Sequence, residues 1–138
     1  MASSFTEAER QKTSKKMGAI CRRMYQLLNE VYVPARPSDN APYFAVGTVQ
    51  ALLKEPTEES YAELLKRKGQ VWPSFIQVGK LDGLELVANR LARAAWFLTM
   101  ASGEFYQDKL DDAKSHINTV VEEIKEIKEL LDQEQVRA

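Results

Sequence analysis

The fold of this chain is decided by the stretch YQDKLDDAKSHINTVVEEIKEIKELL, residues 106–131. A strand would alternate apolar and polar residues with a period of two, whereas here the apolar residues recur at alternating steps of four and three. They are Tyr106, Leu110, Ala113, Ile117, Val120, Ile124, Ile127 and Leu131. This spacing predicts a long helix with one apolar stripe. Because such a helix cannot shield its stripe from water alone, the sequence also predicts other helices beside it.

The composition restricts the class of protein. With 138 residues, 44% of them hydrophobic and 28% charged, the chain is expected to form one globular domain with a proper core. Its formal net charge of -1 gives no global field that would attract nucleic acid or anionic lipid. No apolar run approaches the ~20 residues of a membrane-spanning helix, and no signal-peptide pattern follows Met1. We therefore expect a cytoplasmic protein with no membrane partner.

The remainder of the chain predicts four more helices. The first covers about residues 7–32, begins at a T-x-x-E capping box formed by Thr6 and Glu9, and ends at Pro34. A short second helix over residues 42–54 is expected to bury Phe44. A short third helix begins at a Thr57 cap, with Gly69 as its C-terminal stop.

The last two helices are predicted over about residues 83–102, capped by Asp82, and 104–133. The brief Ser102-Gly103 turn between them predicts an antiparallel hairpin. A Pro-rich connector (34–42, PARPSDNAP) and an irregular segment (70–81) separate the other helices. The predicted fold class is therefore all-α, an antiparallel helical bundle of three long helices and two short ones in a single domain, residues 1–138.

The predicted fourth helix has a second apolar surface, away from the stripe that faces the core. Its members are Leu86, Arg93, Trp96, Phe97 and Met100. Either neighbouring helices cover this surface within the domain, or it binds a protein partner with Trp96 as an anchor, since tryptophan and arginine are favoured at binding hot spots. The apolar stripe of the last helix also persists to Leu131, so its far end is expected to overhang the bundle and bind a second chain.

Charge is unevenly distributed along the chain. Lys12, Lys15, Lys16, Arg22 and Arg23 fall in a segment without acids, whereas the last helix is rich in them. If the two helices are neighbours, their charged flanks complement each other. The alternative is that the basic residues bind the phosphates of a nucleic acid.

His116 is the single histidine. One histidine in a small helical bundle would be compatible with a histidine phosphotransfer domain. Such domains typically carry Lys and Gly at the third and fourth positions after the histidine, where this chain has Thr119 and Val120. The alternative interpretation is a half-exposed histidine beside Asp112.

Catalytic chemistry has little support in the sequence. The single cysteine, Cys21, lies on the apolar side of its helix, where thiols are usually inert packing residues, and the glycines form no phosphate loop. The acidic pair Glu122-Glu123 is typical of a solvated helix face. We therefore expect a non-catalytic interaction module without cofactor or metal, an adaptor or assembly subunit that binds another protein or itself. The alternatives are a nucleic-acid-binding accessory subunit and phosphotransfer at His116.

Overall fold

The computed structural model describes residues 6–35, 41–76 and 83–137. Within these ranges the chain forms five α-helices, packed together, and no strand, which confirms the predicted all-α bundle. The helices are α1 (Glu7–Ala35), α2 (Ala41–Lys54), α3 (Glu58–Ile76), α4 (Gly83–Tyr106) and α5 (Leu110–Arg137). The predicted cap at Asp82, most of the Pro-rich connector and residues 77–81 lie outside the described residues.

The helix α4 lies at the centre of the bundle and contacts each of the other four described helices. Its predicted stripe is buried from Val87 through Leu91 and Leu98 to Ala101, and the small alanines beside it let neighbouring helices approach closely. The stripes of α1 and α5 meet it in one core that includes Met24 and Ile117. Among the described residues, none of the helices has both the length and the apolar character required to cross a membrane.

The predicted N-terminal caps of α1 and α3 are confirmed. The Thr6 hydroxyl accepts the Glu9 amide hydrogen at 3.1 Å, and the Glu9 carboxylate accepts the Thr6 amide hydrogen at 3.3 Å, which completes the capping box. At α3 the Thr57 hydroxyl accepts the Ser60 amide hydrogen at 3.1 Å. Each cap satisfies an amide that would otherwise lack a partner within the helix.

The prediction that α3 is short and stops at Gly69 is wrong, as is the assignment of residues 70–76 to an irregular segment. The helix continues to Ile76. Glycine inside a helix costs only about 0.5–1 kcal/mol, and Pro73 removes one hydrogen bond close to the C-terminal end, after which the helix continues for only three residues. Pro34, which was predicted to end α1, also lies inside the last turn of its helix, since α1 ends one residue later at Ala35.

The predicted position of the α4–α5 turn is also wrong. Ser102 and Gly103 are helical, and the turn occupies residues 107–109. Asp108, with φ 63°, is the left-handed residue that ends α4. The Asp108 amide donates to the Phe105 carbonyl at 3.1 Å and the Lys109 amide to the Glu104 carbonyl at 2.8 Å, the two bonds of a Schellman motif. In this last turn of α4, Tyr106 stacks on Tyr61 of α3 with ring centroids 4.5 Å apart, a contact that a helix end at Ser102 would lose.

Candidate functional site

Five residues of the predicted partner surface, Leu86, Arg93, Trp96, Phe97 and Met100, form what we call the α4 strip, and all five are half-buried. Trp96 and Phe97 pack against the core with part of each ring. The Lys68 ammonium of α3 lies 5.1 Å from the Trp96 ring centroid, and the Arg93 guanidinium lies 5.6 Å from that of Phe97. Neighbouring helices therefore cover the strip only in part, and cations lie over its two aromatic rings.

A small cleft runs along the α3 side of the strip. It has a volume of about 150 Å³ and is lined by Leu65 and Lys68 of α3 and by Met100 and Glu104 of α4. Leu65 is 49% exposed, which makes it one of two large apolar side chains that stand out into solvent among the described residues. Sequence analysis missed Leu65 because it adjoins Leu64, which is buried, and one residue of rotation separates core from surface on a helix.

His116 lies on the α5 side of the strip, where its ring stacks on Phe97 with centroids 6.0 Å apart. The ring is half-buried, as the sequence predicts, and its hydrogen-bond partner is Glu104 of α4 rather than Asp112, with Nδ1 2.5 Å from the Glu104 Oε1. Since a carboxylate accepts, Nδ1 is the donor, and the carboxylate fixes the orientation of the ring. Phosphotransfer at His116 stays a prediction.

Glu123 corrects the interpretation of Glu122-Glu123 as a solvated pair. The Glu122 side chain is 70% exposed, but that of Glu123 is 11% exposed and faces α4. Its oxygens lie 3.2 Å from the Arg90 Nε and 3.6 Å from the Arg93 Nε, and Arg90 also pairs with Glu126. These pairs join α4 to α5 and hold Arg93 at the edge of the strip.

The expectation that the end of α5 overhangs the bundle is wrong at Leu131. This side chain is 3% exposed and belongs to the core cluster. The hairpin is antiparallel, so the C-terminal part of α5 packs beside the N-terminal part of α4 and its stripe is covered within the molecule. Leu131 is therefore not accessible to a second chain.

The predicted nucleic-acid-binding residues lie along α1, and we call them the basic face: Lys12, Lys15, Lys16, Arg22 and Arg23. All are exposed except Arg23, which is half-buried and donates to the Gln26 side chain at 3.2 Å. None of the five takes part in an ion pair within the described residues. The helices α1 and α5 do meet, through the Glu9–Lys114 pair, and Arg10 pairs with Asp108 in the turn before α5. The acids of α5 therefore do not neutralise the basic face as expected.

A groove of about 380 Å³ lies between the N-terminal halves of α1 and α5, and we call it the α1–α5 groove. Lys12, Thr13 and Lys16 line it from α1, and Lys114 and Asn118 line it from α5. The sequence alone could not group Lys114 with the basic residues of α1, because Lys114 lies on a helix that is mostly acidic and approaches α1 only in the folded structure.

Comparison with protein families, curated proteins and solved structures found no match to this chain. Its function is therefore argued from the surfaces of the bundle.

A second exposed aromatic surface lies where α1, α2 and α3 meet. The predicted burial of Phe44 is wrong: the side chain is 53% exposed, and the Arg67 guanidinium lies 4.7 Å from its ring centroid. Tyr25 and Tyr43 stand nearby with ring centroids 6.5 Å apart. Gly47 permits this arrangement, because a Cβ there would lie 2.8 Å from the Tyr25 hydroxyl.

Cys21 is fully buried, as its position on the apolar side of α1 predicted. Burial raises the pKa of its thiol to about 12, so the thiolate required for nucleophilic chemistry does not form near neutral pH. Within the part of the chain that the structure describes, no group of three or more His, Cys, Asp or Glu side chains could hold a metal ion.

Proposed function

We propose that this chain is a non-catalytic interaction module, an adaptor or assembly subunit that binds another protein through the α4 strip. The observation that supports it best is the half-exposed pair Trp96 and Phe97 on the central helix, bordered by the 49%-exposed Leu65. Aromatic side chains with one face fixed against a core lose little conformational freedom on binding, and tryptophan is enriched at hot spots.

The charges around the strip favour a partner segment with acidic residues beside its apolar ones. Lys68 lies over the Trp96 ring on a long stem that can move aside while its charged end remains at the rim, and Arg93, which Glu123 holds, lies over the Phe97 ring. An amphipathic helix with such a pattern would cover the rings with its apolar side and pair its acids with the cations, especially Lys68.

Site-specific photo-cross-linking tests this proposal. A photoreactive phenylalanine analogue placed at Leu65 is expected to give a discrete adduct in a cell extract, whereas the same analogue at the adjacent exposed Lys66 is not. Lys68→Glu should weaken the adduct from position 65, and the cross-linked partner peptide should contain acids near apolar residues. Equal adducts from both positions, or an adduct indifferent to Lys68→Glu, would contradict the proposal. An adduct of two copies of the 15.7 kDa chain would identify self-association instead.

Nucleic-acid binding by the basic face is a second candidate, supported by the absence of ion pairs to its five cations in the described residues. Phosphate contacts make the logarithm of the affinity fall with the logarithm of the salt concentration. Replacement of Lys15 and Arg22 by glutamine should flatten that slope by about one unit per contact. A failure to shift any oligonucleotide at ~50 mM salt, where such contacts are strongest, would exclude this function.

A further inference from the structure

We propose that the α1–α5 groove is a binding site for a compact phosphate-bearing small molecule. This site is distinct from the α4 strip and from the outer surface of α1, where a nucleic-acid strand would bind. Two helices that are distant in the sequence supply its cations, Lys12 and Lys16 from α1 and Lys114 from α5. The volume of about 380 Å³ falls within the range of roughly 300–1,000 Å³ that is usual for small-molecule sites.

The groove also contains one carboxylate, that of Glu9, which is already engaged. It accepts the amide and hydroxyl hydrogens of Thr6 at 3.3 and 3.2 Å, and it lies 3.7 Å from the Lys114 ammonium. The backbone hydrogen bond from Thr6 is the main cause that lowers the pKa of Glu9, so this carboxyl is ionised near neutral pH. The three lysines and this carboxylate leave a surplus of positive charge in the groove, and that surplus favours an anion.

The neutral groups of the groove add hydrogen-bonding capacity and an apolar base. The Thr13 hydroxyl donates to the Glu9 carbonyl at 2.9 Å, which fixes its position on the groove wall. The exposed amide of Asn118 can donate to a phosphate oxygen. Ile117, 1% exposed, lies at the bottom, where an organic group attached to the phosphate would find apolar contact.

The arrangement favours a compact ligand because lysines from two helices line the same groove. A nucleic-acid strand would follow the outside of α1 and use Lys15, Arg22 and Arg23, which do not line the groove. A short polyphosphate carries several charged oxygens, so it can pair with a lysine from each helix at once, with Lys16 of α1 and Lys114 of α5. This convergence makes Lys114 the residue that distinguishes the two modes of binding.

Calorimetric titration with inorganic tripolyphosphate and with ATP, at constant ionic strength near 0.15 M, tests the site. Saturable one-to-one binding is expected. Lys16→Gln and Lys114→Gln should each weaken it about tenfold, since a charge-assisted hydrogen bond to phosphate is lost in each. The control is Lys66→Gln, the loss of an exposed lysine outside the groove, which changes the net charge by the same one unit as either groove variant and should alter affinity less than about twofold.

Tighter binding of ATP than of tripolyphosphate would show that the organic part also contacts the groove, and equal affinity would show that the phosphates suffice. The proposal is overturned if neither probe gives saturable binding at millimolar concentrations, or if the control variant weakens binding as much as the groove variants do. It is also overturned if only an oligonucleotide binds, through Lys15 and Arg22 and independently of Lys114. Circular dichroism of each variant checks that the bundle is folded.

Discussion

The Arg10 guanidinium, in the first turn of α1, donates a hydrogen bond of 2.5 Å to the carboxylate of Asp108, 98 positions further along the chain. The same guanidinium lies 4.7 Å from the ring centroid of Phe105 at the end of α4. Asp108 is also the left-handed residue that ends α4. One aspartate thus shapes the α4–α5 turn and attaches it to α1, at the rim of the bundle near the α1–α5 groove.

We expect this ion pair to contribute modestly to stability. The two side chains are 29% and 38% exposed, so water screens their attraction. A double-mutant cycle with Arg10→Gln and Asp108→Asn, measured by urea unfolding, should give a coupling energy of about 0.5–1 kcal/mol. Asparagine is chosen because it tolerates the left-handed conformation, so the backbone of the turn is preserved. A coupling energy indistinguishable from zero would mean that the contact does not stabilise the fold.

The misplaced turn shows where sequence analysis of this fold loses its precision. The helical period identified the α4–α5 hairpin because the apolar stripes extend over many residues. The residue at which α4 ends, however, is set by a single residue with positive φ. Gly103 was the obvious candidate in the sequence, because glycine adopts positive φ readily. Asp108 takes it instead, and the additional helical turn lets Tyr106 stack on Tyr61 of α3. Such a contact between distant helices leaves no trace in the local sequence.

Gly69 and Gly47 should respond in opposite directions to alanine. Gly69 has open space around its Cβ position, so Gly69→Ala should raise the free energy of unfolding by about 0.5–1 kcal/mol through helix propensity.

At Gly47 a Cβ would lie 2.8 Å from the Tyr25 hydroxyl, on a rigid ring, so Gly47→Ala should be destabilising. In a Tyr25→Phe background the same change should become stabilising. Urea unfolding of the wild type, the two single variants Gly47→Ala and Tyr25→Phe, and the double variant measures this. A gain from Gly47→Ala in the presence of Tyr25 would refute the close contact.

The candidate surfaces were predictable only to the extent that they lie on a single helix. The α4 strip followed from α4 alone, because five members of one helix fall outside its core stripe. Leu65 and Lys68 border it from α3, and no pattern within α3 assigns them there. The α1–α5 groove is lined by Lys16 from α1 and Lys114 from α5, and only tertiary packing brings these two helices together.

Cys21 should be protected from modification in the folded protein. Burial raises the pKa of its thiol to about 12, with a smaller opposing effect of Arg22, and the side chain is 0% exposed. Reaction with an aromatic disulfide reagent at pH 8 should therefore wait for unfolding, while the chain in urea reacts at once. The unfolded thiol ionises near pH 8.5, so the folded state retains its proton at higher pH and stability should fall as the pH rises above that value. Immediate native-state reaction would show that the α1 stripe opens.

Glu123 offers the largest expected effect, with Glu122 as its matched control. The Glu123 carboxylate is 11% exposed between Arg90 and Arg93, whose side chains are 27% and 43% exposed. Loss of one partner from a fully buried ion pair costs ~3–5 kcal/mol, but arginines that reach water recover part of this, so Glu123→Ala should cost about 1–3 kcal/mol.

Glu122 is 70% exposed and contacts Lys125 at 3.4 Å, so Glu122→Ala should change stability by less than about 0.5 kcal/mol. Glu123→Gln keeps the volume and removes the charge, so it separates packing from electrostatics. If Glu123→Ala and Glu122→Ala lower the free energy of unfolding by the same small amount, the Glu123 carboxylate does not stabilise the fold through Arg90 and Arg93. Arg93 would then stay over Phe97 by its contact with the ring alone.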